Sequence, residues 1–411
     1  MNTLRLNYLL LLMALVLLAA NMAVAVEPSA EVSPLATTGP KPAPVEPPGP
    51  ETIDGAIRRG VEFLLERQNG DGSWGSHRTG RPSNVFAPVP GAHHAFRAAT
   101  TSLCVATLIE SGGDDPAVMA ALDRAERWMA LNLPSLRRAT PDAIYNNWGH
   151  IYAVQALALM HRRHEGRPER QEAIRAHLDQ QIDRLGRYEF LSGGWAYYDF
   201  DAGTQRPSGP STSFMTAAAL IALDEAKRVG VNVPRRLTDR AIESIERQRK
   251  PDFSYAYAES FVFHPMHVIN RPAGSLGRSQ ACNAALRIWG DQRVTDEVLT
   301  TWLDRLFARN GWLCIGRKRP IPHESWFAVA GYFFYFGHYY AARCIELLPP
   351  EQQEPYKHQM AHVILALQEA DGSWWDFPLY DYHQQYGTAF ALMTLARCRA
   401  DATAGTPSAA R

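Results

Sequence analysis

Two kinds of helix alternate along this chain, and few architectures accommodate both. Phe214, Met215 and the run from Ala217 to Leu223 leave no polar face, so their helix must be surrounded by protein. The helix from Glu169 to Arg187 instead carries Arg170, Glu172, Arg175, Asp179 and Arg184 on a face that meets water. The alternation recurs about six times with a period on the order of 55 residues. The first pair is Thr52–Gln68 with Arg97–Glu110, and the second Pro116–Leu131 with Ile144–Arg163. The third is Glu169–Arg187 with Thr212–Arg228, and the fourth Leu237–Arg247 with Ser275–Trp289. The fifth is Thr295–Arg309 with Glu324–Leu347, and the sixth Glu354–Glu369 with Gln385–Arg399. Short connections make each pair an antiparallel hairpin. A closed ring buries every second helix and exposes every first one. It also removes the polar end caps that an open solenoid needs, and neither terminal repeat here carries one. The expected fold class is therefore all-α, an α/α toroid over 51–400, with about six helical hairpins closed into a double ring.

Tight turns join the two helices of several pairs. Arg67-Gln68-Asn69-Gly70-Asp71-Gly72-Ser73-Trp74 ends one helix with residues that accept the left-handed conformation of a C-cap, then plants a tryptophan. Gln368-Glu369-Ala370-Asp371-Gly372-Ser373-Trp374 repeats the device, and Gly193-Gly194-Trp195 and Gly311-Trp312 are looser copies. The second and fourth pairs lack a clean version. Each tryptophan has apolar area to bury and one N–H to satisfy, so a structural plug between hairpins is the expected role.

Arg59-Gly60, Phe63-Leu64, Gln68 and Gly72-x-Trp74 resemble the QW repeat of squalene–hopene cyclases, and Gln368 with Gly372-x-Trp374 resembles its second half. On those residues the chain looks like a member of the terpenoid cyclase and protein prenyltransferase superfamily. The resemblance implies a single α/α toroid with a central apolar cavity for isoprenoid chains, lined by the starts of the inner helices. Candidate substrate-binding residues are then His150, Trp195, Arg278 and Tyr386.

The family's chemistry carries over poorly. A class II cyclase protonates an alkene or epoxide with an aspartate in a DxDD motif. The nearest stretches are Asp199-Phe200-Asp201-Ala202, which makes Asp199 and Asp201 the catalytic candidates, and Asp114-Asp115, which reads as a helix start. The stretch Trp375-Asp376-Phe377-Pro378, then Asp381-Tyr382-His383, resembles the zinc-histidine region of prenyltransferases. The family's D-x-C ligands are replaced by His323-Glu324-Ser325. His323, Glu324 and His383 remain a set of N and O donors suited to zinc, or else a helix cap and a lining residue. The long loop Phe261–Arg278, with His264, His267 and Arg271, reads as a binding rim, and His93-His94 belongs to the same class.

The termini suggest export. Arg5, the apolar run Leu9–Ala20 and Ala23-Val24-Ala25 form a signal peptide over 1–25, with an apolar run too short for a membrane span. Residues 26–50 read as a Pro-rich disordered spacer and 401–411 as a tail. The 42 basic and 42 acidic residues balance, which argues against a nucleic-acid partner. Five scattered cysteines with no CxxC pair read as buried free thiols. The expected function is an exported toroid that binds an apolar, isoprenoid-like molecule or lipid. A divergent isoprenoid cyclase or transferase and an interaction toroid of the cell envelope are the alternatives.

Overall fold

A computed structural model describes residues 32–79, 87, 89–201, 206–324 and 326–399. The expected signal peptide and C-terminal tail lie outside these residues. Six long helices form the outer wall: α1 (Pro50–Glu66), α3 (Pro116–Asn132), α5 (Pro168–Tyr188), α7 (Arg235–Gln248), α9 (Asp296–Ala308) and α11 (Pro350–Leu365). Six form the inner wall: α2 (Pro90–Ser111), α4 (Asn146–Arg163), α6 (Ser213–Arg228), α8 (Pro272–Ile288), α10 (Phe333–Glu346) and α12 (His383–Arg397). Each inner helix packs on the next, and α12 returns to α2. The all-α toroid follows from this closure.

The turn residues explain why the ring closes in register. Trp74, Trp195 and Trp374 are fully buried. Each indole N–H donates to a carbonyl ten residues earlier, Leu64 at 2.7 Å, Leu185 at 2.9 Å and Ile364 at 2.9 Å. Each backbone N–H donates to a threonine hydroxyl of the following inner helix, Thr101, Thr216 or Thr388, at 3.0 Å. The glutamine of the turn reaches the neighbouring hairpin. Gln68 donates to Ala121 O on α3 at 2.9 Å, and Gln368 donates to Ala56 O on α1 at 3.0 Å. The last turn thereby grips the first helix. Gly72, Gly193 and Gly372 adopt φ of 94°, 96° and 86°, and an added Cβ would lie 2.4–2.6 Å from a carbonyl of the next outer helix.

A further copy of this turn is disguised. Arg249 and Tyr255 form the same antiparallel bridge as Gln68 and Trp74. Asp252 Oδ1 accepts from Ser254 N at 3.0 Å, as Asp71 does from Ser73 at 3.1 Å. Phe253 takes the glycine's place at φ 60°, and buried Tyr255 takes the tryptophan's. Gly311-Trp312, by contrast, is not a plug. It lies in a short helix, Asn310–Cys314, with Trp312 stacked on Phe327 at the surface.

Three expectations change. Inner helix α10 begins at Phe333 rather than Glu324, because residues 316–324 and 326–331 are a loop with left-handed Lys318, His323 and Ala328. Helix α2 begins at Pro90, so His93 and His94 are helical. The spacer is not free over its described part, 32–50. Ala36 is buried, Arg305 of α9 donates to Thr38 O at 2.6 Å, and Gln359 of α11 donates to Ala43 O at 2.6 Å. Extended proline-rich backbone offers unpaired carbonyls, and these two outer helices supply the donors. All five cysteines are free thiols, and only Cys314 is partly exposed.

Candidate functional site

The inner helices enclose a cavity of ≈ 580 Å³ at their N-terminal ends. Its floor is aromatic: Trp148 and Tyr152 from α4, Phe214 from α6, Phe333 and Phe336 from α10, and Phe390 from α12. Trp148 stacks on Tyr152 at 5.5 Å, and Phe214 meets Phe333 edge-on at 4.9 Å. Helix α8 contributes no lining residue. Gly277 and Gly337 bring α8 and α10 to backbone contact, with an added Cβ on Gly337 only 2.5 Å from Gly277 Cα. Below the floor, Gln155 donates to Tyr339 Oη at 2.7 Å across the ring. Arg343 pairs with Glu225 at 2.9 Å and Arg397 with Glu110 at 2.7 Å, sealing that end with ion pairs. Burial pushes the Glu225 carboxyl up, but Arg343 and Arg162 more than offset this and hold it below its ordinary range.

The open end carries a chain of hydroxyls. His323 Nδ1 donates to Ala328 O at 2.9 Å, so its Nε2 is an acceptor, and the Tyr332 hydroxyl donates to it at 3.0 Å. Burial lowers the His323 pKa, which favours this neutral form. Tyr257 lies 3.3 Å from Tyr332 Oη, and Tyr197 bonds to Tyr257. Tyr197, Tyr257 and Tyr332 thus form one cluster of hydroxyls on the cavity wall, anchored on His323 Nε2. Tyr145 and Tyr198 form a second hydroxyl pair beside it. No Asp, Glu, Lys or Arg occurs among the described lining residues.

Of the four substrate-binding candidates, Tyr386 alone lines this cavity. Its hydroxyl turns to the wall and donates to Asp376 Oδ1 at 2.8 Å. His150 faces the outer ring, bonded to Gln181 at 2.7 Å, and burial pushes its imidazole down to about 4. Trp195 is a turn plug. Arg278 is fully buried and donates to the carbonyls of Tyr255 (3.0 Å), Gly274 (2.6 Å) and Ile269 (2.8 Å), so it pins the rim loop and does not meet the cavity.

The catalytic pair is also corrected. Asp199 is buried in an ion pair with Arg138 at 2.8 Å and accepts from Gly209 N at 3.0 Å, while Asp201 is exposed, and neither lines the cavity. The zinc set does not assemble. His323 spends both nitrogens on protein partners, Glu324 is exposed 3.9 Å from Arg319, and His383 Nδ1 bonds to Tyr380 O at 2.6 Å. Among the described residues no three His, Cys, Asp or Glu side chains are close enough to hold a metal ion.

Asp376 is the titratable group the sequence reading passed over. It is fully buried behind Tyr386, and its Oδ2 accepts from Tyr335 N at 3.0 Å, which caps the start of α10. Burial pushes its carboxyl up to about 7, and the Tyr335 and Tyr386 bonds offset this only in part. The folded chain thus holds a proton that the unfolded chain releases near pH 4. The stability from that proton is full below about pH 4 and is lost as pH rises toward 7. Asp376→Asn keeps an acceptor for Tyr335 and a donor for Tyr386. Relative to wild type it should gain roughly 1.4 kcal/mol per pH unit between about pH 4 and 7. His150 and His338 act with the opposite sign in both proteins and cancel in the difference. Urea unfolding of both proteins at pH 5 and pH 7 checks this, and a difference independent of pH would show that Asp376 titrates normally.

The sequence matches no known protein-family profile. Solved structures of the same ring shape are similar to this chain. An α-1,6-mannanase of a Salegentibacter species, in an inactive form complexed with α-1,6-mannotetrose, gives a TM-score of 0.51 at 9% identity, over 84% of this chain and 98% of that one. The type II terpene cyclase MstE from Scytonema gives 0.48 at 15% identity, over 86% and 99%. A protein from Actinoplanes gives 0.47 at 15% identity, over 84% and 98%. At 9% identity the mannanase likeness shows the fold alone.

Proposed function

We propose that this chain is an isoprenoid-binding toroid, whose central cavity takes a neutral, largely apolar molecule ending in a hydroxyl. The observation that carries the reading is the wall itself: aromatic rings from five inner helices, a volume in the range of small-molecule sites, and no Asp, Glu, Lys or Arg among the described lining residues. A prenyl diphosphate is usually held by cations, and no Lys or Arg occurs among the described lining residues. A glycosidase needs two carboxylates facing the scissile bond, and no described carboxylate lines the cavity. The mannanase likeness therefore supports the ring and not that chemistry. The hydroxyl cluster of Tyr197, Tyr257 and Tyr332 gives a ligand hydroxyl its partner, and the expected export leader would place the protein outside the cytoplasm.

Cavity filling tests this. Ala99 lines the void on α2. Ala99→Trp is expected to weaken binding of geranylgeraniol at least about tenfold while leaving the thermal midpoint near wild type, since the added ring enters empty space. Tyr197→Phe removes one hydroxyl of that cluster and should cost about fivefold to tenfold. Tryptophan-fluorescence titration reads both. Undiminished binding by Ala99→Trp would place the ligand elsewhere.

A further inference from the structure

The two oxygens of buried Asp376 have different kinds of partner. Oδ2 accepts from the Tyr335 backbone N–H at 3.0 Å, and Oδ1 accepts from the Tyr386 hydroxyl at 2.8 Å. A proton on Oδ2 would share that oxygen with a group that can only donate. A proton on Oδ1 meets Tyr386 Oη, which can accept. When Asp376 takes up a proton, the bond to Tyr386 therefore reverses, and the tyrosine's own hydrogen is released to turn elsewhere. Its other acceptor within the protein is Phe377 O, at a longer 3.3 Å. Tyr386 and Phe377 both line the cavity, so this bond lies on the boundary between wall and void. The charges around Asp376 leave it free to titrate. Arg317, on the loop before α10, favours the carboxylate, but among the described residues no ion pair joins Asp376 to a cation. Lys318 gives its backbone N–H to Asp376 O and its ammonium to Glu369, at 2.6 Å. Burial raises the phenols of Tyr335, Tyr386 and Tyr332, which stay neutral. Burial pushes His338 of α10 down to about 4 and lowers His323. His383 of α12 meets the ring of Trp375 at 5.1 Å and is common to every variant compared below.

We infer that Asp376 is a positioning residue that sets, through Tyr386, which end group the cavity accepts: protonated, it turns the Tyr386 hydroxyl into a donor for an apolar ketone or aldehyde, and ionised, it withdraws that donor. The inference rests on the apolar-ligand reading of the cavity and adds a second ligand class to it. A carbonyl oxygen can only accept, so it gains from Tyr386 in the protonated state alone. An alcohol is held in both states, because it accepts from Tyr386 in the one and donates to Tyr386 Oη in the other. Burial raises the Asp376 carboxyl to about 7. The carbonyl compound is therefore held below that pH and released as pH rises through it, while the alcohol is indifferent.

The test titrates the full chain by tryptophan fluorescence at about pH 5.5 and about pH 8.5, on either side of the Asp376 transition. The probes are the ketone geranylgeranylacetone and the alcohol geranylgeraniol. In wild type the affinity for the ketone relative to the alcohol is expected to fall about fivefold to tenfold from the lower to the higher pH, the worth of one hydrogen bond. Asp376→Asn fixes a donor toward Tyr386, so its ratio should stay at the wild-type acid value at both pH values. Tyr386→Phe should stay at the alkaline value at both. A role for Asp376 in structure alone would weaken the two ligands together and leave their ratio flat. A second readout needs no variant. At about pH 8, ketone binding to wild type should take up a proton and alcohol binding should not, so the calorimetric enthalpy should depend on the buffer for the ketone alone. A wild-type ratio independent of pH, or equal proton uptake with the two ligands, would overturn the inference. Saturable binding of the alcohol beside a flat ratio would remove the switch and keep the cavity reading, whereas no saturable binding of either probe would remove both.

Discussion

Trp374→Ala is expected to destabilise the chain by about 3–5 kcal/mol, the cost of removing a buried tryptophan that the surroundings cannot collapse to fill. The site is over-determined. The indole is fully buried, its N–H bonds to Ile364 O at 2.9 Å, and a ring atom of Trp374 lies 2.9 Å from where a Cβ on Gly60 of α1 would stand. Trp374 thus sits at the seam where the last hairpin meets the first. Its loss should open the ring as well as leave a void, so the urea transition should broaden as its midpoint falls. Trp312→Ala is the control. Trp312 is partly exposed in a short helix, and its loss should cost far less. Equal losses at the two sites would mean that the seam does not depend on its plug.

Arg278→Met is expected to cost about 3 kcal/mol or more. The guanidinium donates to three backbone carbonyls, which compensate its charge. Burial lowers it to about 10, still charged at neutral pH. Methionine fills much of the volume and leaves three buried carbonyls without that donor, each worth about 1–3 kcal/mol when unsatisfied. Relief of the buried charge offsets part of this. The released carbonyls belong to Tyr255, Ile269 and Gly274, so the rim loop between them should loosen. Limited proteolysis should then cut within 259–270 in the variant and spare wild type. A variant as stable and as resistant as wild type would remove Arg278 from its positioning role.

The ring was legible in the sequence because its rules are chemically strict. A helix apolar all round can only be interior, and a turn needing a left-handed residue next to a carbonyl admits little besides glycine. The disguised turn escaped because Phe253 accepts the glycine's conformation and Tyr255 the tryptophan's place, so no glycine marks it. The cavity was legible as a class but not by residue. Trp148 and Tyr152 are one helical turn apart and face inward, while His150 between them faces the outer wall. From sequence Arg278 reads as a substrate-binding residue and Asp199 as a catalytic one, yet both are spent on holding loops. The tyrosines that line the mouth, Tyr145, Tyr197, Tyr198, Tyr257 and Tyr332, stand in turns or just before helices, where no periodicity marks them. One signal was present: Tyr197 and Tyr257 each follow two residues after a turn plug, Trp195 and Tyr255. Asp376 gave no signal either, since only the folded ring shows that it is buried behind Tyr386.

The most direct test of the central claim is a paired titration of the wild-type chain with geranylgeraniol and with geranylgeranyl diphosphate, followed by tryptophan fluorescence. Trp148 lies in the cavity wall and reports occupancy. An aromatic cavity with no Lys or Arg among its described lining residues predicts saturable, one-to-one binding of the alcohol and binding of the diphosphate weaker by at least about tenfold, because its charges would be desolvated without a cationic partner. Tighter binding of the diphosphate, or no saturable response to the alcohol, would contradict it.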